Sequence, residues 1–209
     1  MPATLFHAPL TCSLAARFAA AEGGVGLDIE YLNLSTKALD KGGSLYDINP
    51  LGQVSTLKLE NGDLLTETSA CITWIQAQSQ NDDFRIAPDD PMYFQMLRWL
   101  GFCATELHKQ IFRVVFYSEA TDAVKDRIRA LAPERFKFLD TQLKTHEYLL
   151  GDRFSAADAY LTWFFVLAGK AQLDFSRYDN LTAYSKRTLN RPMIKTLIES
   201  DMKKRVEQG

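Results

Sequence analysis

The run from Asn49 to Gln76 constrains the fold of this chain more tightly than any other stretch. Asn49-Pro50-Leu51-Gly52 reads as a turn, proline fixing φ and glycine relieving the far side. Val54 to Leu59 is predicted as a short strand, Asn61-Gly62 is the strongest two-residue hairpin signal, and Leu64-Leu65 makes the return strand. Glu67-Thr68-Ser69 then opens a helix whose apolar positions Ala70, Ile72, Trp74 and Ile75 run on to Ala77. A carboxylate and two hydroxyls in a first helical turn suit the positive end of the helix dipole.

Upstream, Thr4-Leu5-Phe6-His7 is a strand and Ala8 to Thr11 a turn. From Cys12 the pattern becomes helical, with Leu14, Ala15, Phe18 and Ala19 on one stripe closed by Gly23-Gly24. Asp28 to Leu32 is a second strand, so the order is βαβ, which favours parallel pairing. Ser35 to Ile48 is polar and irregular, with a turn of helix near Leu45-Tyr46. Cys12 in a first helical turn faces unpaired N–H groups, which should hold its pKa below the ordinary value of about 8.5. A lone cysteine is equally often a small buried hydrophobe, and position alone leaves the two readings even.

At 209 residues and 46% hydrophobic content the chain can bury a full core, as one domain or two small ones. Its 24 Lys+Arg and 26 Asp+Glu nearly balance without a block of like charge, which points away from nucleic acid and anionic membranes. No leader-like segment and no apolar run of spanning length are evident. Cys12, Cys71 and Cys103 are odd in number and widely spaced, which points to a reduced cytoplasmic chain rather than a disulfide framework or zinc site. The three scattered histidines form no metal constellation.

Gln80 to Pro91 is a polar, proline-containing link, and Pro91 is suited to a first helical position. Helical spacing follows from Met92 to about Val115 through Met96, Trp99, Leu100, Cys103, Leu107 and Ile111. A further helix spans Thr121 to Lys144, with a kink or break predicted at Pro133. Ser155 and Asp158 are spaced as a near-capping box opening the apolar helix at Ala159 to Gly169. Two more helices fall near Leu181–Leu189 and Pro192–Lys204.

The Asn49 to Thr68 pattern resembles the glutathione-binding half of the glutathione S-transferase family, matching N-P-x-G-x-V-P-x-L, then D/N-G, then an L-T-E-S-like helix start. The matches are Asn49, Pro50, Gly52, Val54, Leu57, Asn61, Gly62, Leu65, Thr66, Glu67 and Thr68. Ser55 stands where the family has a cis-proline, so the peptide before it is either cis, or trans with a different loop. Pro9-Leu10-Thr11-Cys12-Ser13-Leu14 is similar to the P-x-x-C-S-L segment of the bacterial beta class, as is Glu106-Leu107-His108-Lys109 to its E-L-H-K segment. Leu149, Gly151, Ser155, Ala157 and Asp158 match an L-x-G-x-x-x-S/T-x-A-D element to which the family gives a folding role.

The resemblance implies an α/β plus all-α architecture: a thioredoxin-like glutathione-binding domain at 1–80, a linker at 81–90, and an all-helical domain at 91–209 holding the electrophile. It implies that Glu67 and Thr68 receive the γ-glutamyl end of glutathione. Val54 would pair its backbone with the cysteinyl part, and Gln53 and Lys37 would reach other polar groups. Cys12 would tune the glutathione sulfur or exchange with it as a mixed disulfide, with Ser13 the runner-up, and His108 would serve the sulfur site. Glutathione is then a cosubstrate conjugated to an apolar electrophile in a cytoplasmic, detoxifying homodimer. Two rivals remain: a glutathione-dependent thiol–disulfide reductase acting through Cys12, and a non-catalytic transferase-like binding protein.

Overall fold

The computed structural model describes residues 2–208, which divide into two compact units, residues 2–86 with 192–208, and Ala87–Arg191. The first unit carries β1 (Thr4–His7), α1 (Ser13–Gly23), β2 (Asp28–Tyr31), a 3-10 turn (Leu45–Asp47), β3 (Thr56–Lys58), β4 (Leu64–Thr66) and α2 (Thr68–Gln78). Its sheet runs β2-β1-β3-β4. β1 is parallel to β2 with Leu5 opposite Ile29, and antiparallel to β3 with Leu5 opposite Leu57. β4 returns antiparallel to β3, as the Asn61-Gly62 hairpin predicts. This is the expected thioredoxin-like order, with α1 and α2 packed together.

The core explains the order. Leu5, Leu14, Phe18, Leu57, Ile72 and Ile75 are fully buried, each contributing about 1.5–3 kcal/mol of transfer free energy. α1 stops at Gly24, whose φ of +65° is cheap only for glycine, and the next residue, Val25, bonds back to the Ala20 carbonyl. Gly52 is required on space as well: a Cβ there would lie 2.4 Å from the Tyr46 ring.

The second unit is helical: α3 (Met92–Phe102), a π-helical stretch (Cys103–Phe112), α4 (Arg113–Val115), α5 (Asp122–Arg129), α6 (Ala132–Gln142), α7 (Ala156–Ala168) and α8 (Asp179–Leu189). The break expected at Pro133 is present, since α5 ends at Arg129 and proline sits in the first turn of α6. The π-helical stretch departs from the α-helix that the spacing predicts. Apolar residues recurring every four positions fit an α-turn and the wider π-turn alike, so periodicity did not separate them. α7 is buried along its length, with Phe164 stacked on Phe112 at 4.2 Å between ring centres.

The last helix, α9 (Pro192–Glu207), groups with the sheet unit rather than with the helical domain drawn at 91–209. The reason is physical: α9 packs on α1 and sends the fully buried Asp201 to its residues. Among the described residues no helix is long and apolar enough to cross a membrane, and no cluster of His, Cys, Asp and Glu could hold a metal.

Candidate functional site

β1 ends at the buried His7, and six residues later, at Ser13, α1 begins. Cys12 is the N-cap of α1, and its thiol donates to the Val54 carbonyl at 3.1 Å. That carbonyl belongs to a loop shaped by Asn49, which donates to the Gln53 carbonyl at 2.9 Å and to Thr56 Oγ1 at 3.0 Å. Thr56 in turn donates to the Gln53 carbonyl at 2.8 Å. The Val54–Ser55 peptide is cis, the first of the two alternatives open in the sequence. Ser55 and Thr68 hydroxyls meet at 3.2 Å, joining this loop to the start of α2. Cys12, Val54, Ser55, Thr56 and Thr68 are thus linked by hydrogen bonds through one loop.

Glu67 is exposed at the N-cap of α2 and Thr68 is buried behind it. Gln53 is exposed, Val54 half-buried, and Lys37 half-buried in the loop before the 3-10 turn. Among the described residues four other than glycine have left-handed φ: Leu10 (63°), Lys37 (62°), Glu67 (66°) and Gln172 (58°). Such conformations cost of order 1–3 kcal/mol and cluster at functional sites. Two of the four are residues the resemblance assigns to glutathione, and Leu10 lies two residues before Cys12.

Below the Cys12 turn lies a buried polar network. His7 Nδ1 is 2.7 Å from Ser13 Oγ, and His7 Nε2 is 3.0 Å from both oxygens of Asp201. Arg17 donates to the same carboxylate, and the Leu10 amide donates to it at 2.7 Å. A carboxylate only accepts, so His7 Nε2 carries the hydrogen. Burial lowers the His7 pKa against the pull of Asp201, which leaves Nδ1 to accept from the Ser13 hydroxyl. Ser13 therefore turns its oxygen inward, towards His7 and Thr11.

The other cysteines behave as core thiols. Burial, with a further push from Cys12, drives Cys71 up to about 12, so it stays protonated at neutral pH. Burial raises Cys103 as well.

His108 lies in the π-helical stretch of the second unit. Its Nδ1 meets the Tyr160 hydroxyl at 2.8 Å, and its ring packs edge-on against Trp163 at 4.8 Å. Burial, then the positive charges of Lys109 and Arg113, pull its pKa down to about 4. With its pKa that low the imidazole is neutral at pH 7, a hydrogen-bonding group rather than a cation. Of the aromatic residues near His108 in sequence or on α7, Phe112, Trp163, Phe164 and Phe165 are buried, whereas Phe116 and Tyr117 are exposed. Asn49 as a loop-shaping donor, Tyr160 as the partner of His108, and the His7–Asp201 pair were not singled out from sequence. Only Asn49 carried a local signal, its place in the Asn-Pro-x-Gly turn.

Comparison with known proteins agrees with this geometry. The glutathione S-transferase C-terminal domain family matches residues 102–192. Glutathione S-transferase GstA of Escherichia coli O157:H7 is 30% identical over 198 residues, covering 94% of this chain and 98% of that protein. A sphingomonad glutathione S-transferase solved in complex with glutathione superposes with a TM-score of 0.89 at 27% identity, covering 95% of this chain and 98% of that one. The bacterial beta class enzyme of Sphingomonas chungbukensis gives a TM-score of 0.88 at 29% identity over the same shares.

Proposed function

This chain belongs to the glutathione S-transferase family, and from that premise we propose that it is a beta-class-like transferase joining the thiol of glutathione to apolar electrophilic small molecules. The observation that carries the reading is the Cys12 thiol at the mouth of α1, 3.1 Å from the Val54 carbonyl, in a loop bonded to the Thr68 helix start. Glutathione is an extended tripeptide, and its main chain can bond an exposed backbone as a short added strand. Val54 supplies that backbone. The amides opening α2 suit an anionic carboxylate, and the Glu67 carboxylate suits an ammonium group, so together with Thr68 they match the γ-glutamyl end. Gln53 and Lys37 reach the remaining polar groups, Lys37 the glycyl carboxylate.

Catalysis requires a sulfur nucleophile held beside a water-poor pocket. Cys12 is assigned to the glutathione sulfur. Ser13, the second candidate for that role, is better suited to supporting the turn, since its hydroxyl engages His7. His108, neutral at pH 7, serves as a hydrogen-bonding group for the sulfur or the electrophile. The sheet unit is the glutathione-binding part and the helical unit the electrophile-binding part. A homodimer, a cytoplasmic location and a detoxifying role complete the reading, the location being supported by three cysteines that remain thiols.

Calorimetric titration with glutathione, followed by conjugation of a chlorinated nitroaromatic, tests the proposal. Saturable heat and conjugation are expected. Reduction of a glutathionylated disulfide that disappears in Cys12→Ala, without conjugation, would identify a thiol–disulfide reductase instead. No heat at millimolar glutathione and neither activity would mark a non-catalytic relative. Light scattering should return twice the chain mass.

A further inference from the structure

Ser13, His7 and Asp201 line up as serine, imidazole and carboxylate do in a hydrolytic relay, with 2.7 Å and 3.0 Å contacts. All three are fully buried, at 0% exposure, so no ester or amide can reach the hydroxyl. The alignment therefore serves the structure around it, and what surrounds it is the turn bearing Cys12.

That turn is under local strain. Leu10 has a φ of +63°, where its Cβ crowds the backbone. One of the groups holding it comes from far along the chain: the Leu10 amide donates to Asp201 Oδ2 at 2.7 Å. The same carboxylate is oriented from α1 by Arg17 and from β1 by His7. His7 passes the constraint on to Ser13, whose oxygen lies 2.8 Å from Thr11 Oγ1, and the single Thr11 hydroxyl hydrogen is shared between that oxygen and the Ala8 carbonyl at 2.7 Å. Residues on both sides of Leu10 are thus tied, directly or through one or two intermediaries, to a single buried carboxylate on α9. Charge-assisted bonds of this kind are about twice as strong as neutral ones.

We infer that Asp201 is a positioning residue for glutathione use: it holds the left-handed turn at Leu10 that sets the Cys12 thiol against the Val54 carbonyl. The inference rests on the assignment of Cys12 to the glutathione sulfur. Asp201 does not touch the tripeptide, and its effect passes through the turn.

The test is Asp201→Asn, alone and with Leu10→Gly, because glycine adopts a left-handed φ without cost and no longer needs the carboxylate. Asp201→Asn is expected to raise KM for glutathione about tenfold, the equivalent of one charge-assisted bond, while KM for the electrophile changes less than about twofold. Adding Leu10→Gly should return most of the glutathione KM without restoring the melting temperature. A lowered melting temperature with unchanged glutathione KM well below it, or no recovery with Leu10→Gly, overturns the inference and leaves Asp201 a stabilising residue only.

Two measurements on the unmodified protein cover the case in which the variant does not fold. The Leu10 amide proton should resonate well downfield, as expected of a short bond to a carboxylate. Imidazole nitrogen shifts should show His7 neutral with hydrogen on Nε2. A Leu10 amide at an ordinary shift, or hydrogen on His7 Nδ1, overturns the inference. These spectra need no glutathione, so they separate failure of the positioning role from failure of the transferase reading.

Discussion

Asp158 and Asp201 are both fully buried carboxylates, one in each compact unit, and each fastens a loop to a helix. Asp158 is surrounded by neutral donors: the amides of Leu149 and Ser155, the Ser155 hydroxyl, and the Tyr184 hydroxyl at 2.7 Å. Burial raises its pKa while those bonds pull it back down. Asp201 instead faces the Arg17 cation, His7 and the Leu10 amide. The first closes a capping box at the start of the deeply buried α7, and no residue proposed for ligand binding touches it. The second is one amide from the turn that presents Cys12. Two groups alike in burial thus divide between folding and function, and the partners they bond decide which.

The division can be broken by experiment. Asp158→Ala leaves three donor residues without their buried acceptor and should cost about 3–5 kcal/mol in urea unfolding. Kinetics per folded molecule should be unchanged, and a raised glutathione KM in this variant would erase the contrast with Asp201. Next in size is a response to acid in the helical unit. His108 has its pKa held at about 4 in the fold against 6.5 in the free side chain, so the unfolded chain binds the proton first. Stability from this group is complete above pH 6.5 and is lost as pH falls towards 4, by roughly 3 kcal/mol at most. Asp158, with its raised pKa, works in the opposite sense over acid pH. The clean measurement is therefore the difference in unfolding free energy between wild type and His108→Gln at pH 7 and pH 4.5, which should narrow on acidification. Smallest is Tyr184→Phe, which removes one of the donors to Asp158 and should cost about 1–2 kcal/mol without altering conjugation.

The same two carboxylates show what could be read before the fold was known. Ser155 and Asp158 stand three residues apart, so the capping box is visible in any window of the sequence. The Asn49-Pro-x-Gly turn, the Asn61-Gly62 hairpin and the Glu67 helix start are equally local, and they carried the order of strands and helices with them. Asp201 and His7 are 194 residues apart, and no periodicity or turn rule connects positions so distant. His7 looked like any core histidine because its role depends on what packs beneath it. The lowered proton affinity of His108 is hidden from the sequence for a related reason: helical spacing says which face is buried, not how completely. Position in a pattern conveys backbone geometry well, and the electrostatics of the finished interior poorly.

The tie between Leu10 and Asp201 also bears on how the molecule is made. A chain emerging from the ribosome carries its strands, α1 and α2, and Cys12 with them, well ahead of α9. Its strained leucine gains the bond to Asp201 only once synthesis has passed residue 201 and the last helix has packed on α1. A product cut short between α2 and that helix would own Lys37, Gln53, Val54, Glu67 and Thr68, yet lack the clasp for the thiol. Completion of the polypeptide is in this sense inspected at its opposite end.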